Sequence, residues 1–218
     1  MYFESRAEAG EILGKKLYEQ YRYENCAVLA MNNGGVLVGQ KIASHLRTLL
    51  MLLVTESIEV PGEGLTFGSV SQSGNFTYDG GLSRFEIAGY TSEFNSYLQE
   101  KKREAFQKIN RLIGDAGTVD TAMLRGRNVI LVSDGFDAKT SFEAVLDFLK
   151  PIRVQRIIAA SPVSCTAAVN KLHALVDEIH ILDVKANYIS TNHYYDDNNI
   201  PEQEEIISFI SQNILNWQ

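Results

Sequence analysis

Two rhythms of apolar residues alternate along this chain. Short unbroken apolar runs read as strands buried on both faces, and apolar residues at every third or fourth position read as amphipathic helices. Residues 8–21 carry the helical rhythm, with Ile12, Leu13, Leu17 and Tyr21 near one face. Residues 26–31 and 49–54 are strand-like runs. From Pro61 to Gly89 the chain turns rich in Gly, Ser and Thr, and residues 65–70 and 76–78 predict a hairpin, with a turn at Asp79-Gly80-Gly81. Ser92 predicts the cap of a long polar helix over 93–112. Residues 129–132, a helix from Ser141 and residues 156–160 form a predicted strand–helix–strand unit, followed by a strand at 178–182 and a closing helix at 202–215. Strands alternating with helices predict an α/β fold: a mainly parallel sheet with helices on both faces.

The richest stretch runs from Val129 to Ser141, where an apolar strand passes through a polar loop into a helix. A helix N-terminus offers unpaired backbone N–H groups, which with the helix dipole favour an anion such as phosphate. Thr140 or Ser141 can cap this helix, and Glu143 stands at capping-box spacing from Thr140. Asp134 and Asp137 place two carboxylates in the loop, able to bind hydroxyls or act as a base. The pattern points to a site for a phosphorylated sugar or nucleotide. A second loop, Asn33-Gly34-Gly35, follows the strand at 26–31 and would share the carboxyl edge of the sheet. It reads either as a tight glycine turn or as an anion cradle of backbone amides.

Composition narrows the classes. A net charge of −7 argues against general nucleic-acid binding, which wants a basic face. It leaves phosphate binding open, because local N–H groups suffice. The 2 cysteines, Cys26 and Cys165, lack metal-ligand spacing and are expected as reduced, buried thiols. With no signal-like or membrane-length apolar run, a soluble cytoplasmic protein is expected. The 218 residues fit one domain: a core at about 1–55 and 120–200, a hood or flap at about 56–119 and a C-terminal helix at about 201–216.

The 129–141 stretch resembles the 5-phosphoribosyl-1-pyrophosphate (PRPP) motif of type I phosphoribosyltransferases, as found in stand-alone microbial domain proteins. The segment Met31-Asn32-Asn33-Gly34-Gly35-Val36 resembles the family's pyrophosphate loop. Pro61-Gly62, Phe67-Gly68-Ser69-Val70, Arg125-Gly126-Arg127, Ser161-Pro162-Val163 and the region from Asn187-Tyr188 to Asp196-Asp197 match as well. The resemblance implies a parallel sheet with a small hood, a homodimer, and pentosyl transfer to a nitrogenous base with release of pyrophosphate. It implies ribose binding at Asp134 and Ser133, 5′-phosphate binding at Ala138, Lys139, Thr140 and Ser141, and pyrophosphate at Asn33, Gly34 and Gly35. Asp137 takes the place of the carboxylate that handles the base proton, and Mg²⁺ is expected to arrive on the ligand.

This chain also departs from the family pattern. Ser133 replaces the first acid, Lys139 stands where Gly is usual, and Asn33 replaces an Arg. Glu56 lies near an expected basic residue. The departures favour an alternative: a catalytically impaired module that binds a nucleotide or phosphosugar and regulates a partner. Lys101, Lys102, Arg103, Lys108 and Arg111 read as a solvated helix face rather than an anion site, and His45, His173 and His180 as structural. Residues 193–197 read as a specificity region or a packed loop, and the 61–89 segment as a closing flap or a packed hairpin.

Overall fold

The computed structural model describes residues 1–113, 119–138, 140–202, 204–207 and 210. The chain forms two compact units. The first comprises Met1–Leu52, Val119–Thr140 and Ile152–Gln218, and the second Leu53–Thr118 and Ser141–Pro151. Residues 141–151 thus group with 53–118.

The first unit is built on a five-stranded sheet whose neighbours all run parallel. Its strands are β1 (Cys26–Ala30), β2 (Leu50–Leu52), β6 (Asn128–Val132), β7 (Arg156–Cys165) and β8 (Glu178–Lys185), in the order β2-β1-β6-β7-β8. β1 and β6 are buried at every position, on both faces, which explains their continuous apolar runs. Helices α1 (Arg6–Tyr21) and α2 (Asn33–Leu46) cover one face. There Leu13, Leu17, Tyr21, Val38 and Ile42 pack on Val28, Ile130, Val132, Ile158 and Ala160. α6 (Thr166–Leu172) follows β7. β7 and β8 each run beyond the predicted span, because their shared register continues to Cys165 and Lys185.

The second unit holds a three-stranded antiparallel sheet: β3 (Thr55–Glu59), β4 (Thr66–Ser71) and β5 (Phe76–Tyr78). The apolar run at 49–54 therefore splits. Leu50–Leu52 joins the parallel sheet, and β3 of the other sheet already begins at Thr55. The helix predicted at 93–112 is α4 (Asn95–Ile113), and a further helix, α3 (Arg84–Glu93), precedes it where the sequence predicted none. The cap is Ser83, in a complete capping box with Glu86, and Ser92 lies inside α3. Glu56 in β3 pairs with Lys108 of α4 at 2.7 Å, and Lys102 sits over the Phe76 ring at 3.9 Å. These two cations of α4 thus have partners within their own unit. Helix α5 (Phe142–Leu149) completes the unit.

Of the closing helix expected at 202–215, helical residues at 204–207 and 210 are described, and the rest lie outside the described residues. Among the described residues no helix is long and apolar enough to cross a membrane.

Candidate functional site

The carboxyl ends of β1 and β6 lie side by side in the first unit, where Met31 N–H donates to the Val132 carbonyl at 2.9 Å. This ladder bond sets Asn32 beside Ser133 and Asp134. The Asn32 amide nitrogen donates to Asp134 Oδ1 at 2.8 Å and to Ser133 Oγ at 3.2 Å. Its oxygen accepts the Gly35 N–H at 2.7 Å and so caps α2. Asn33, Gly34 and Gly35 are consequently the first turn of α2, not a tight turn ahead of it.

Neither glycine has a positive φ; close packing is what demands them. A Cβ on Gly34 would stand 2.1 Å from Asp134 Oδ2 and 2.9 Å from Arg6 Nε. One on Gly35 would stand 2.7 Å from the Val132 carbonyl oxygen. Asn33 turns its amide to the Pro201 carbonyl at 3.3 Å.

Asp134 is buried, and its second oxygen accepts from Arg6 Nε at 2.7 Å. Arg6 is itself only 2% exposed. Its remaining nitrogens donate to Asn192 Oδ1 at 2.6 Å, Asn198 Oδ1 at 3.3 Å and the Asp197 carbonyl at 3.4 Å. The guanidinium lies 4.5 Å from the centre of the Tyr195 ring, and the Tyr195 hydroxyl donates to the Asp134 carbonyl at 2.6 Å. Burial first, and the Asp134 charge second, push the Tyr195 hydroxyl far above the usual tyrosine range, so it stays a donor. Ser133, also buried, donates to the Gly135 carbonyl at 2.8 Å.

Beyond Asp134 the loop closes on itself. The Thr140 hydroxyl donates to Asp137 Oδ1 at 2.9 Å and accepts the Asp137 N–H at 3.0 Å. The N-cap of α5 is Ser141, which makes no side-chain cap bond, and its hydroxyl accepts from Ser69 at 3.1 Å. Ala138 is exposed, and Lys139 lies outside the described residues.

The structure thus brings Ser133, Asp134, Gly34 and Gly35 together around Asn32. Several participants have no counterpart among the candidates drawn from sequence: Arg6, Asn32, Asn192, and the Tyr188–Thr191 hydroxyl pair, 2.7 Å apart. That pair stands where a Cβ on Gly135 would go, 2.6 and 2.7 Å from it, which requires glycine there. Burial pushes the Tyr188 hydroxyl up to about 12. A signal for Arg6 was present: it falls on the buried stripe of α1 with Ala9, Leu13 and Leu17. A cation there also opposes the helix dipole. Within residues 193–197, Tyr194 and Tyr195 are buried, each 3% exposed, and Phe3 bridges to Tyr195, whereas His193, Asp196 and Asp197 are exposed.

A family model for the phosphoribosyl transferase domain matches residues 4–196. The chain belongs to this family. A crystal structure of TT1426 from Thermus thermophilus is 25% identical at a TM-score of 0.77, covering 97% of this chain and 99% of that one. A hypothetical protein from Neisseria gonorrhoeae, solved with bound ppGpp, is 13% identical at a TM-score of 0.50, covering 96% and 98%. A purine phosphoribosyltransferase from Pyrococcus horikoshii is 13% identical at 0.49, covering 89% and 90%. No curated protein matches the chain. The five-stranded parallel sheet flanked by helices is the fold of type I phosphoribosyltransferases, so the phosphoribosyl transferase domain fits both the topology and the match along the chain.

Proposed function

We propose that this phosphoribosyl transferase domain binds PRPP, or a related phosphosugar or nucleotide, with the 5′-phosphate on the stretch Ala138–Ser141. The observation that carries the reading is the place of Ser133 and Asp134, directly after the carboxyl end of β6, a central strand of the parallel sheet, which is the edge where such sheets take ligands. Family membership supports transfer of the phosphoribosyl group to a nitrogenous base. In that reaction the bond from the ribose to pyrophosphate breaks, a C–N bond forms, and the acceptor base loses a proton. Asp137, oriented by the Thr140 hydroxyl, is the proposed acceptor or guide of that proton. The leaving group would lie near Asn33, Gly34 and Gly35, and rate enhancement would rest on positioning and electrostatics. The homodimer expected from the resemblance belongs to this proposal, and sedimentation equilibrium tests it.

Mg²⁺ was expected on the ligand rather than in a protein cage. Asp134 has one oxygen on Arg6 and the other on Asn32. Among the described residues no group of three His, Cys, Asp or Glu side chains could hold a metal. These residues do not fit a resident Mg²⁺.

A second reading is binding without transfer, as a regulatory module. The engagement of both Asp134 oxygens favours it, and so does Asn33, a neutral residue where the family has Arg. Loss of a charge-assisted contact of that kind costs about 1.5–3 kcal/mol, tenfold or more in affinity. Calorimetric titration with PRPP and MgCl₂ decides the common part: absence of heat at millimolar PRPP removes both readings for this ligand. Pyrophosphate release across a panel of purines and pyrimidines then separates them.

A further inference from the structure

We infer that Arg6 is a positioning residue for the ligand site: through one guanidinium it holds the Asp134 carboxylate and the 192–198 segment in a single register, without touching ligand itself. This rests on the phosphosugar reading of the site above. Only 2% of Arg6 is exposed, so it has almost no surface left to offer a ligand. Its Nε is committed to Asp134, and its two terminal nitrogens to Asn192, Asn198 and the Asp197 carbonyl. The planar fork suits this division of labour, because each nitrogen points its N–H groups in a fixed direction and the flat face stacks on Tyr195.

Tyr195 closes the ring of contacts by donating to the Asp134 carbonyl. The site loop and the 192–198 segment are therefore joined twice, once through Arg6 and once through Tyr195. The glycine at 34 completes the argument. Nothing larger fits beside the bonded Arg6 and Asp134 side chains, so the pyrophosphate-loop backbone is seated directly against the pair. A shift of Arg6 would move Asp134, and with it the surface that α2 presents. A lysine keeps the charge but has one nitrogen and cannot serve Asp134, Asn192 and Asn198 together.

The experiment compares the full-length protein with Arg6→Lys, Arg6→Met, Asp134→Asn and the double variant Arg6→Met/Asp134→Asn. PRPP with MgCl₂ is the titrant in calorimetry, and amide hydrogen exchange is followed at 133–135 and 192–198. The double variant leaves no lone buried charge, and so keeps the test alive if Arg6→Met fails to fold. Expected is a loss of PRPP affinity of roughly tenfold to a hundredfold in Arg6→Met, a smaller loss in Arg6→Lys, and a double variant no weaker than Asp134→Asn alone. Exchange should quicken in both segments together. Wild-type affinity in Arg6→Met, or losses that add in the double variant, would overturn the inference, the latter by showing that Arg6 meets the ligand independently. Should the wild-type protein give no heat with PRPP, the phosphosugar reading fails, and exchange alone judges Arg6. Quickening in both segments upholds the shared register, whereas quickening confined to 192–198 overturns it.

Discussion

Gly35 and Gly89 make opposite demands on the same substitution. A Cβ at Gly35 would press on the Val132 carbonyl oxygen at 2.7 Å, against rigid backbone, whereas one at Gly89 in α3 would meet nothing within 4 Å. Gly35→Ala should destabilise by about 1–3 kcal/mol. Gly89→Ala should stabilise by up to about 1 kcal/mol through helix propensity. Urea denaturation of both variants reads the two signs. His180 supplies a pH dependence. Burial, the leading cause, lowers its pKa below 6.5, while Glu178 acts against the shift and Lys16 with it. The folded protein therefore binds this proton less readily than the unfolded chain. Its contribution is complete above pH 6.5 and is lost as pH falls from there through the lowered value. Glu178, held down chiefly by the Tyr21 hydroxyl, adds a second loss below pH 4.5. Melting temperatures across the range from about pH 4 to about pH 7.5 should show the first decline in the wild type and its absence in His180→Gln, with the lower step retained.

Helix boundaries were the least legible feature at the level of elements. Ser92 read as a cap, whereas the capping box that forms is at Ser83, which has Glu three residues on with both reciprocal bonds made. Ser83→Ala should cost about 1 kcal/mol, seen as a lower unfolding midpoint. At α5, Thr140 and Glu143 have the spacing of a box, and the Thr140 hydroxyl bonds Asp137, while Ser141 at the N-cap makes no side-chain cap bond. Spacing along a chain cannot say which of two nearby partners a hydroxyl will choose. The strands of the parallel sheet were easier to read. β1 and β6 are buried on both faces, so their apolar runs are unbroken, and runs that short favour a strand over a helix.

Across the whole molecule, the chain contributes to its second unit from two separated stretches. Within that unit Thr77 bonds Asp147 at 3.0 Å and Ser69 bonds Ser141 at 3.1 Å, while Phe142 and Val145 are buried. A fragment spanning 53–118 lacks these partners. It should show no cooperative thermal transition by circular dichroism, and a cooperative one would refute this dependence on 141–151. The sequence by itself determined the fold class through its local apolar rhythm, the family through the resemblance of its motifs, and the placing of both glycine-bearing loops at one edge of the sheet; that β1 and β6 are neighbours there was decided by the fold. Tertiary structure alone decided the state of Asp134: its partner Arg6 lies 128 positions away, and an ion pair between a helix start and a strand end leaves no periodic trace in the chain. Whether a carboxylate faces a ligand or an arginine is settled by which groups the fold excludes from water together.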